Sequence, residues 1–221
     1  SVQRSAVENI ITRCQKHNLP IVAGGPLFTQ EQEQFPSIDH FILNEAEITL
    51  PPFLEDLANG TPQRVYETTE FADMTTSPVP AWELLKHKKY DCLSIQFTRG
   101  CPFDCDFCNI TTLLGRRVRT KSKEQIIAEM DKMVEIGWTR NIFFVDDNFI
   151  GNKKILKQDI LPAIIEWRQD KTIGRFLTEA SINLADDDEL MEMMVEAGFG
   201  SVFIGIETPE QICLEECSKG Q

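Results

Sequence analysis

The sequence predicts an α/β chain built on parallel sheets, and three observations predict it. Short apolar runs alternate with amphipathic helical patterns through most of the chain, the order that gives parallel strands joined by right-handed crossovers. A stretch rich in Thr and Pro, residues 61–89, has no sustained periodicity and separates a front part, residues 1–60, from a longer back part, residues 90–221. In the back part each of four strand-like runs ends in polar or reactive residues, and in a barrel of parallel strands those carboxyl ends share the rim where active sites form.

Taken in order, Val7, Ile10, Ile11 and Cys14 fall at helical spacing, and "PIVAGG" (20–25) reads as a short buried strand ending in glycines. "HFILNEAE" (40–47) reads as a second strand, followed by a helix over "LPPFLEDLANG" that stops at Gly60. After the linker, "CLSIQF" (92–97) is a strand. Ser122 and Gln125 stand at capping-box spacing, opening a helix whose apolar face is Ile126, Met130, Met133 and Val134 and which Gly137 ends. There follow strand "NIFFVDD", a helix over about 153–169, strand "RFLTEAS", a helix begun by Asp186 to Asp188, strand "SVFIGIET" and one more short helical stretch. Acid at a helix start complements its dipole, which is reason enough for that aspartate run. The polar strand ends are Thr98 to Cys101, Asp146 to Asn148, Thr178 to Ser181, and Glu207 with Thr208.

Composition narrows the function. With 221 residues, 42% of them hydrophobic, the chain can bury a core. No apolar run reaches the roughly 18 residues of a transmembrane span, and the first residues lack the apolar stretch of a signal peptide, so the expectation is a cytoplasmic protein without a transmembrane segment. The formal charge of -13 argues against nucleic acid as a partner. Seven cysteines, an odd count with three of them crowded together, argue against a disulfide framework and for reduced thiols and a metal.

Those three are Cys101, Cys105 and Cys108 in "GCPFDCDFC", spaced C-x3-C-x2-C. Structural zinc takes four ligands, usually from two C-x2-C knuckles, and the other cysteines are poorly placed to supply the fourth. Three thiolates suit a four-iron four-sulfur cubane with one iron left open. Zinc and unliganded thiols are the competing readings. Arg116, Arg117 and Arg119 follow closely enough to offset cluster charge or to bind a carboxylate, with a solvated helix start as the plain alternative.

The spacing, with Phe107 as the aromatic residue of C-x3-C-x-aromatic-C, resembles the signature of the radical SAM enzymes, here placed directly after a first barrel strand. The resemblance implies that Cys101, Cys105 and Cys108 hold a 4Fe-4S cluster. It also implies that S-adenosylmethionine chelates the open iron and that reduction cleaves it to methionine and a 5′-deoxyadenosyl radical. It implies Phe107 near the adenine, and Asp146, Asp147, Glu179 and Glu207 in positions that contact S-adenosylmethionine or substrate. Arg117 is the arginine taken with them. "FFVDDNF" has an acidic pair where many relatives carry Gly-Gly-Glu, and "SVFIGIET" is similar to the fourth-strand G-x-I-x-G-x-x-E region.

The front part resembles the last third of a cobalamin-binding Rossmann-like domain. "IVAGGP" matches its glycine pair, Gly24 and Gly25, where a backbone can approach a nucleotide tail; a simple turn is the alternative. Asn44-Glu45-Ala46-Glu47 stands where such domains usually close with G-E-G-E. Neither a D-x-H-x-x-G segment nor the later barrel strands are present, so the sequence reads as an internal piece of a longer enzyme. The expected fold is a partial (β/α) radical SAM barrel preceded by the C-terminal part of that domain, and "TEASINLADD" and "FFVDDNFIGNKK" resemble the branch containing the hopanoid C-2 methylases.

The resemblance implies a cobalamin-dependent methyltransferase acting on an unactivated carbon, with cobalamin bound in the full-length parent. It further implies a small-molecule or lipid-like substrate and a reductant protein such as a flavodoxin or ferredoxin. A radical cyclase or methylthiotransferase is the alternative within the superfamily, and a non-catalytic zinc or iron-sulfur electron-transfer module the alternative outside it.

Overall fold

The computed structural model describes residues 4–219, which divide into one unit up to Ala72 and another from Asp73; the outermost residues of the expected domains, 1–3 and 220–221, lie outside the described residues. In the first unit, α1 (Arg4–Lys16), β1 (Val22–Gly24), α2 (Pro26–Glu31), β2 (His40–Ile42), α3 (Ala46–Ala58) and β3 (Val65–Tyr66) follow in order. The strands form one parallel sheet in the order β1-β2-β3.

Alternation along β2 explains how that sheet is covered. Phe41 and Leu43 pack with Ile11, Phe35 and Ile38, while Ile42, between them in sequence, packs with Phe53 of α3 and Tyr66 of β3. Successive side chains of a strand point to opposite faces, so a parallel sheet buried on both sides needs apolar residues at every position.

Two expectations change here. The strand expected over "HFILNEAE" stops at Ile42, and α3 begins at Ala46, four residues before the expected "LPPFLEDLANG". Glu45, the residue before α3, is buried and accepts a hydrogen bond from the Ala72 N–H at 2.8 Å. The stretch expected as linker also contributes structure: Val65 and Tyr66 pair with Phe41 and Ile42, and the Tyr66 hydroxyl donates to Asp56 of α3 at 2.7 Å. Two residues are too few to show a period, which is why this strand leaves no pattern in the sequence.

The second unit runs β4 (Cys92–Ile95), β5 (Thr98–Arg99), α4 (Ile110–Leu114), β6 (Arg119–Thr120), α5 (Lys123–Glu135), β7 (Asn141–Phe144), α6 (Lys153–Ile155), α7 (Leu161–Arg168), β8 (Phe176–Ala180), α8 (Asp188–Ala197), β9 (Phe199–Ile204) and α9 (Gln211–Glu216). Four strands form an open parallel sheet in the order β4-β7-β8-β9, and β5 pairs antiparallel with β6 beside it. The expected capping box is present: the Gln125 N–H donates to the Ser122 hydroxyl at 3.3 Å, and the Gln125 side chain accepts from the Ser122 N–H at 3.0 Å. A π-helical turn, Leu156–Ile160, joins α6 to α7. Asp187, from the expected acidic run, caps α8 by accepting the Leu190 N–H at 3.1 Å.

Phenylalanines hold the sheet to its helices. Phe144, Phe149, Phe176 and Phe199 form a cluster with ring centroids 4.9 to 5.6 Å apart, and Phe97 joins it through Phe149 at 5.8 Å. All five are buried, and burying one such side chain contributes about 1.5–3 kcal/mol. Register then matters for the site: Ile95 is paired with Phe144 and Ala180 with Ile204, so the carboxyl ends of neighbouring strands emerge side by side.

Candidate functional site

The cysteine loop leaves the sheet through β5, and Gly100 allows it to turn. Gly100 has φ +94°, and a Cβ there would stand 2.7 Å from the Arg117 carbonyl oxygen and 2.9 Å from that of Gly115. Only glycine fits both the left-handed backbone and the close approach. The Cys101 N–H donates to the Gly115 carbonyl at 3.2 Å, and the Cys108 N–H closes a turn onto the Cys105 carbonyl at 3.0 Å. The loop is also tied to the end of the chain's last helix, the Asp106 N–H donating to the Cys217 carbonyl at 3.0 Å.

These turns bring Cys101, Cys105 and Cys108 onto one cavity of about 200 Å³. Phe103, Phe107 and Thr111 line it from the loop and α4, Asp147 and Asn148 from the end of β7, and Glu179, Ala180 and Ser181 from the end of β8. Phe203, Gly205 and Glu207 line it from β9 and the turn beyond, with Lys219 after α9. Polar ends of four successive strands thus meet at one site, as the rim argument requires.

Seven of the eleven site residues expected from the sequence are therefore together: Cys101, Cys105, Cys108, Phe107, Asp147, Glu179 and Glu207. Asp146 is not among them. It is buried, and its carboxylate accepts the Phe97 N–H at 3.3 Å and the Thr98 N–H, so it binds the end of β4 to the end of β7. Strand alternation decides between the neighbours: Ile142, Phe144 and Asp146 face the core, and Asp147 takes the other side. Arg117 is exposed and does not line the cavity; what it brings to the loop is its carbonyl against Gly100. Arg116 forms an exposed pair with Asp104 at 3.0 Å. Gly24 and Gly25 belong to the first unit. A Cβ on Gly24 would lie 2.6 Å from the Ile42 carbonyl oxygen, while Gly25, at φ +94°, has open space where its side chain would be.

Other residues of the lining were not among those expected, Lys219 and Asn148 among them. Lys219 is buried, donates to the Gly205 carbonyl at 2.6 Å and to Glu207 Oε1 at 3.0 Å, and stands 5.8 Å from the centre of the Phe107 ring. Asn148 is buried among the strand ends. Asn148 was legible only as the last residue of the polar strand end Asp146 to Asn148, and nothing local distinguishes Lys219.

Electrostatics define what the cavity accepts. Burial raises the pKa of Cys101 and Cys105; Cys108 and Asp147 push Cys101 up further, and Cys108, Cys101 and Cys217 push Cys105 up, where Lys219 opposes them. Burial likewise raises Asp147 and Glu179, with Asp147 adding to the rise at Glu179. Thiols and carboxyls so crowded disfavour one another's ionisation, and a positive group among them, as Lys219 is, favours it. Among the described residues no three His, Cys, Asp or Glu side chains close on a single metal ion. A cubane asks something different, since it gives each thiolate its own iron. Three free thiols on one loop, facing one cavity that favours cationic charge, fit such a group with one iron left for another ligand.

The chain is similar to known proteins. The profile of the radical SAM superfamily matches residues 95–221. Over 223 aligned residues the chain is 44% identical to an uncharacterized methyltransferase of Synechocystis, covering 100% of this chain and 41% of that protein. It is 38% identical to the hopanoid C-2 methylase of Rhodopseudomonas palustris, covering 99% of this chain and 42% of the methylase. The chain thus spans about two fifths of the length of these curated relatives. Its fold is similar to that of the cobalamin-dependent S-adenosylmethionine radical enzyme OxsB, solved with aqua-cobalamin and S-adenosylmethionine bound. The TM-score is 0.77 at 20% identity, over 100% of this chain and 36% of that one. That likeness makes the open four-stranded sheet part of a (β/α) barrel and the three-stranded sheet part of a Rossmann-like domain. With the profile covering the cysteine loop and every strand end that lines the cavity, the chain belongs to the radical SAM superfamily.

Proposed function

We propose that the full-length protein is a cobalamin-dependent radical SAM methyltransferase acting on an unactivated carbon of a small, lipid-like substrate. The observation that carries this is the cavity itself, in which three thiols of one loop face carboxylates from three parallel strand ends. When bound, the cluster and S-adenosylmethionine supply reductive cleavage and hydrogen abstraction, and cobalamin supplies methyl carriage.

The chain's own part is to bind and orient. Cys101, Cys105 and Cys108 hold three irons and leave the fourth open. Asp147, Glu179 and Glu207 accept hydrogen bonds from the amino and ribose groups of S-adenosylmethionine and complement its sulfonium charge, and charge-assisted bonds of this type are the stronger ones. Phe107, about three-fifths exposed at 59%, offers its ring to the adenine. In the first unit, read as the C-terminal part of a cobalamin-binding domain, the open side of Gly25 takes the nucleotide tail. A flavodoxin- or ferredoxin-like protein donates the electron. The hopanoid C-2 methylase relative supports both methyl transfer and a lipid-like substrate; among the described residues no helix is long and apolar enough to cross a membrane.

The test is anaerobic reconstitution of the full-length protein with iron, sulfide and cobalamin, followed by incubation with reductant, methyl-labelled S-adenosylmethionine and a lipid extract. Formation of 5′-deoxyadenosine with label in a lipid product supports the proposal. Deoxyadenosine without label in any acceptor would favour other radical chemistry, and one zinc per chain would remove the reading altogether.

A further inference from the structure

We propose that Lys219 is a positioning residue for S-adenosylmethionine: its one ammonium fixes the Glu207 carboxylate and the Phe107 ring relative to each other, so that both meet the ligand already set. This rests on the reading of the cavity as the S-adenosylmethionine site.

The contacts join three segments that are far apart in sequence. Lys219 Nζ donates to the Gly205 carbonyl at 2.6 Å and to Glu207 Oε1 at 3.0 Å, and it stands 5.8 Å from the centre of the Phe107 ring, within the range of a cation–π attraction. An ammonium has three donors. Two are committed to the turn after β9, and the charge attracts the ring of the cysteine loop. Lysine is rarely buried unless it is paired, and here its side chain is 6% exposed against 46% for the glutamate partner. Among the described residues that line the cavity, Lys219 is the one lysine or arginine.

The backbone is bent to make these contacts. Glu207 has φ +60° and Ser218, just before Lys219, has φ +56°, both in the left-handed region that non-glycine residues enter at a cost and that gathers at ligand sites. Gly205 leaves the room the contact needs: a Cβ there would stand 2.8 Å from Glu207 Oε1 and 3.5 Å from Lys219 Nζ. The segment carrying the lysine is tied down twice more. The Lys219 N–H donates to the Leu214 carbonyl at 2.9 Å, and the N–H of Asp106, next to Phe107, donates to the Cys217 carbonyl at 3.0 Å.

Exposure decides which way the contact works. A carboxylate nearly half exposed and unheld turns to water, and ordering it again around a ligand costs rotamer freedom. Lys219 takes Oε1 alone, so Oε2 stays in place for the amino or hydroxyl groups of the ligand. Because the lysine acts through Glu207, the effects of changing the two overlap instead of multiplying.

The experiment is equilibrium binding of S-adenosylmethionine to the reconstituted full-length protein and to its Lys219→Met, Gly205→Ala, Glu207→Gln and combined Lys219→Met, Glu207→Gln variants, with iron per chain measured in each. Lys219→Met, which keeps the length and loses the charge, should keep wild-type iron and lose affinity on the order of tenfold, the loss expected for one hydrogen bond to a charged group. Gly205→Ala keeps both charges, displaces the carboxylate and should also lose affinity. The combined variant should lose about tenfold in all, where independent contributions would multiply to about a hundredfold. Wild-type affinity in Lys219→Met, or a hundredfold loss in the combined variant, would overturn the proposal. If Lys219→Met fails to assemble its iron, Gly205→Ala decides: wild-type affinity there overturns the proposal and weakened affinity with full iron supports it. A wild-type protein that binds no S-adenosylmethionine, or Glu207→Gln that binds it as the wild type does, would overturn the reading of the site itself.

Discussion

Lys219 holds Glu207 by an ion pair of 3.0 Å while donating to the Gly205 carbonyl at 2.6 Å, so one buried ammonium fastens the turn after β9 to the end of the chain's last helix. Glu207 has φ +60°, in the left-handed region, a conformation that costs a non-glycine residue on the order of 1–3 kcal/mol and persists when its surroundings enforce it. Lys219 is the enforcing contact, and it leaves the second carboxylate oxygen for another donor.

Glu207→Gln keeps the shape and removes the charge. If Glu207 orients S-adenosylmethionine, its affinity should fall on the order of tenfold, since a hydrogen bond to a charged group contributes about 1.5–3 kcal/mol, while iron content stays the same. Equilibrium binding and the yield of 5′-deoxyadenosine are the measurements. Unchanged values for both would leave Glu207 a structural residue.

Asp146 gives a prediction about stability. Burial pushes its pKa up to about 7, against the hydrogen bonds from Thr98 and Phe97 that favour ionisation, with Asp147 pushing it further up. A carboxyl whose native pKa lies above its unfolded value near 3.8 binds its proton more tightly when folded. Its contribution is therefore fully present below about pH 4 and is lost as pH rises toward about 7. An asparagine at this position cannot take up the proton and loses this proton-linked contribution, so Asp146→Asn should be less stable than the wild type at pH 5 by about 1–3 kcal/mol. The deficit should narrow at pH 8. Urea melts at the two pH values check this, and a deficit that widens with pH would contradict it.

Gly100→Ala tests how the loop is built. The added methyl meets two backbone carbonyls, which cannot move aside as a flexible side chain could. Iron bound per chain after reconstitution should drop by more than half, accompanied by a stability loss of about 1–3 kcal/mol from the left-handed backbone alone. A variant with full iron content would show that the loop tolerates a different path.

How much of this was readable beforehand depends on the range of the interaction. The Ser122 and Gln125 cap was readable because both partners lie within one helical turn, and the three cysteines because their spacing is itself the motif. β5 and β6, two residues each, leave no period, although they deliver Gly100 and Cys101 to the cavity. The adjacent aspartates read alike as letters; only the alternation beginning at Ile142 sends Asp146 to the core and Asp147 to the site. Lys219 was invisible for a different reason. Its partners Gly205, Glu207 and Phe107 come from two separate segments, and nothing local marks a lysine as buried.

The central claim is that three thiolates hold a four-iron cluster with one iron open, and Mössbauer spectroscopy with iron and sulfide analysis of the full-length protein tests it most directly. The account predicts about four irons and four sulfides per chain, one iron site whose parameters change on adding S-adenosylmethionine, and no assembled cluster in Cys105→Ala, where two ligands remain. A single zinc, or four irons that S-adenosylmethionine leaves unchanged, would contradict it.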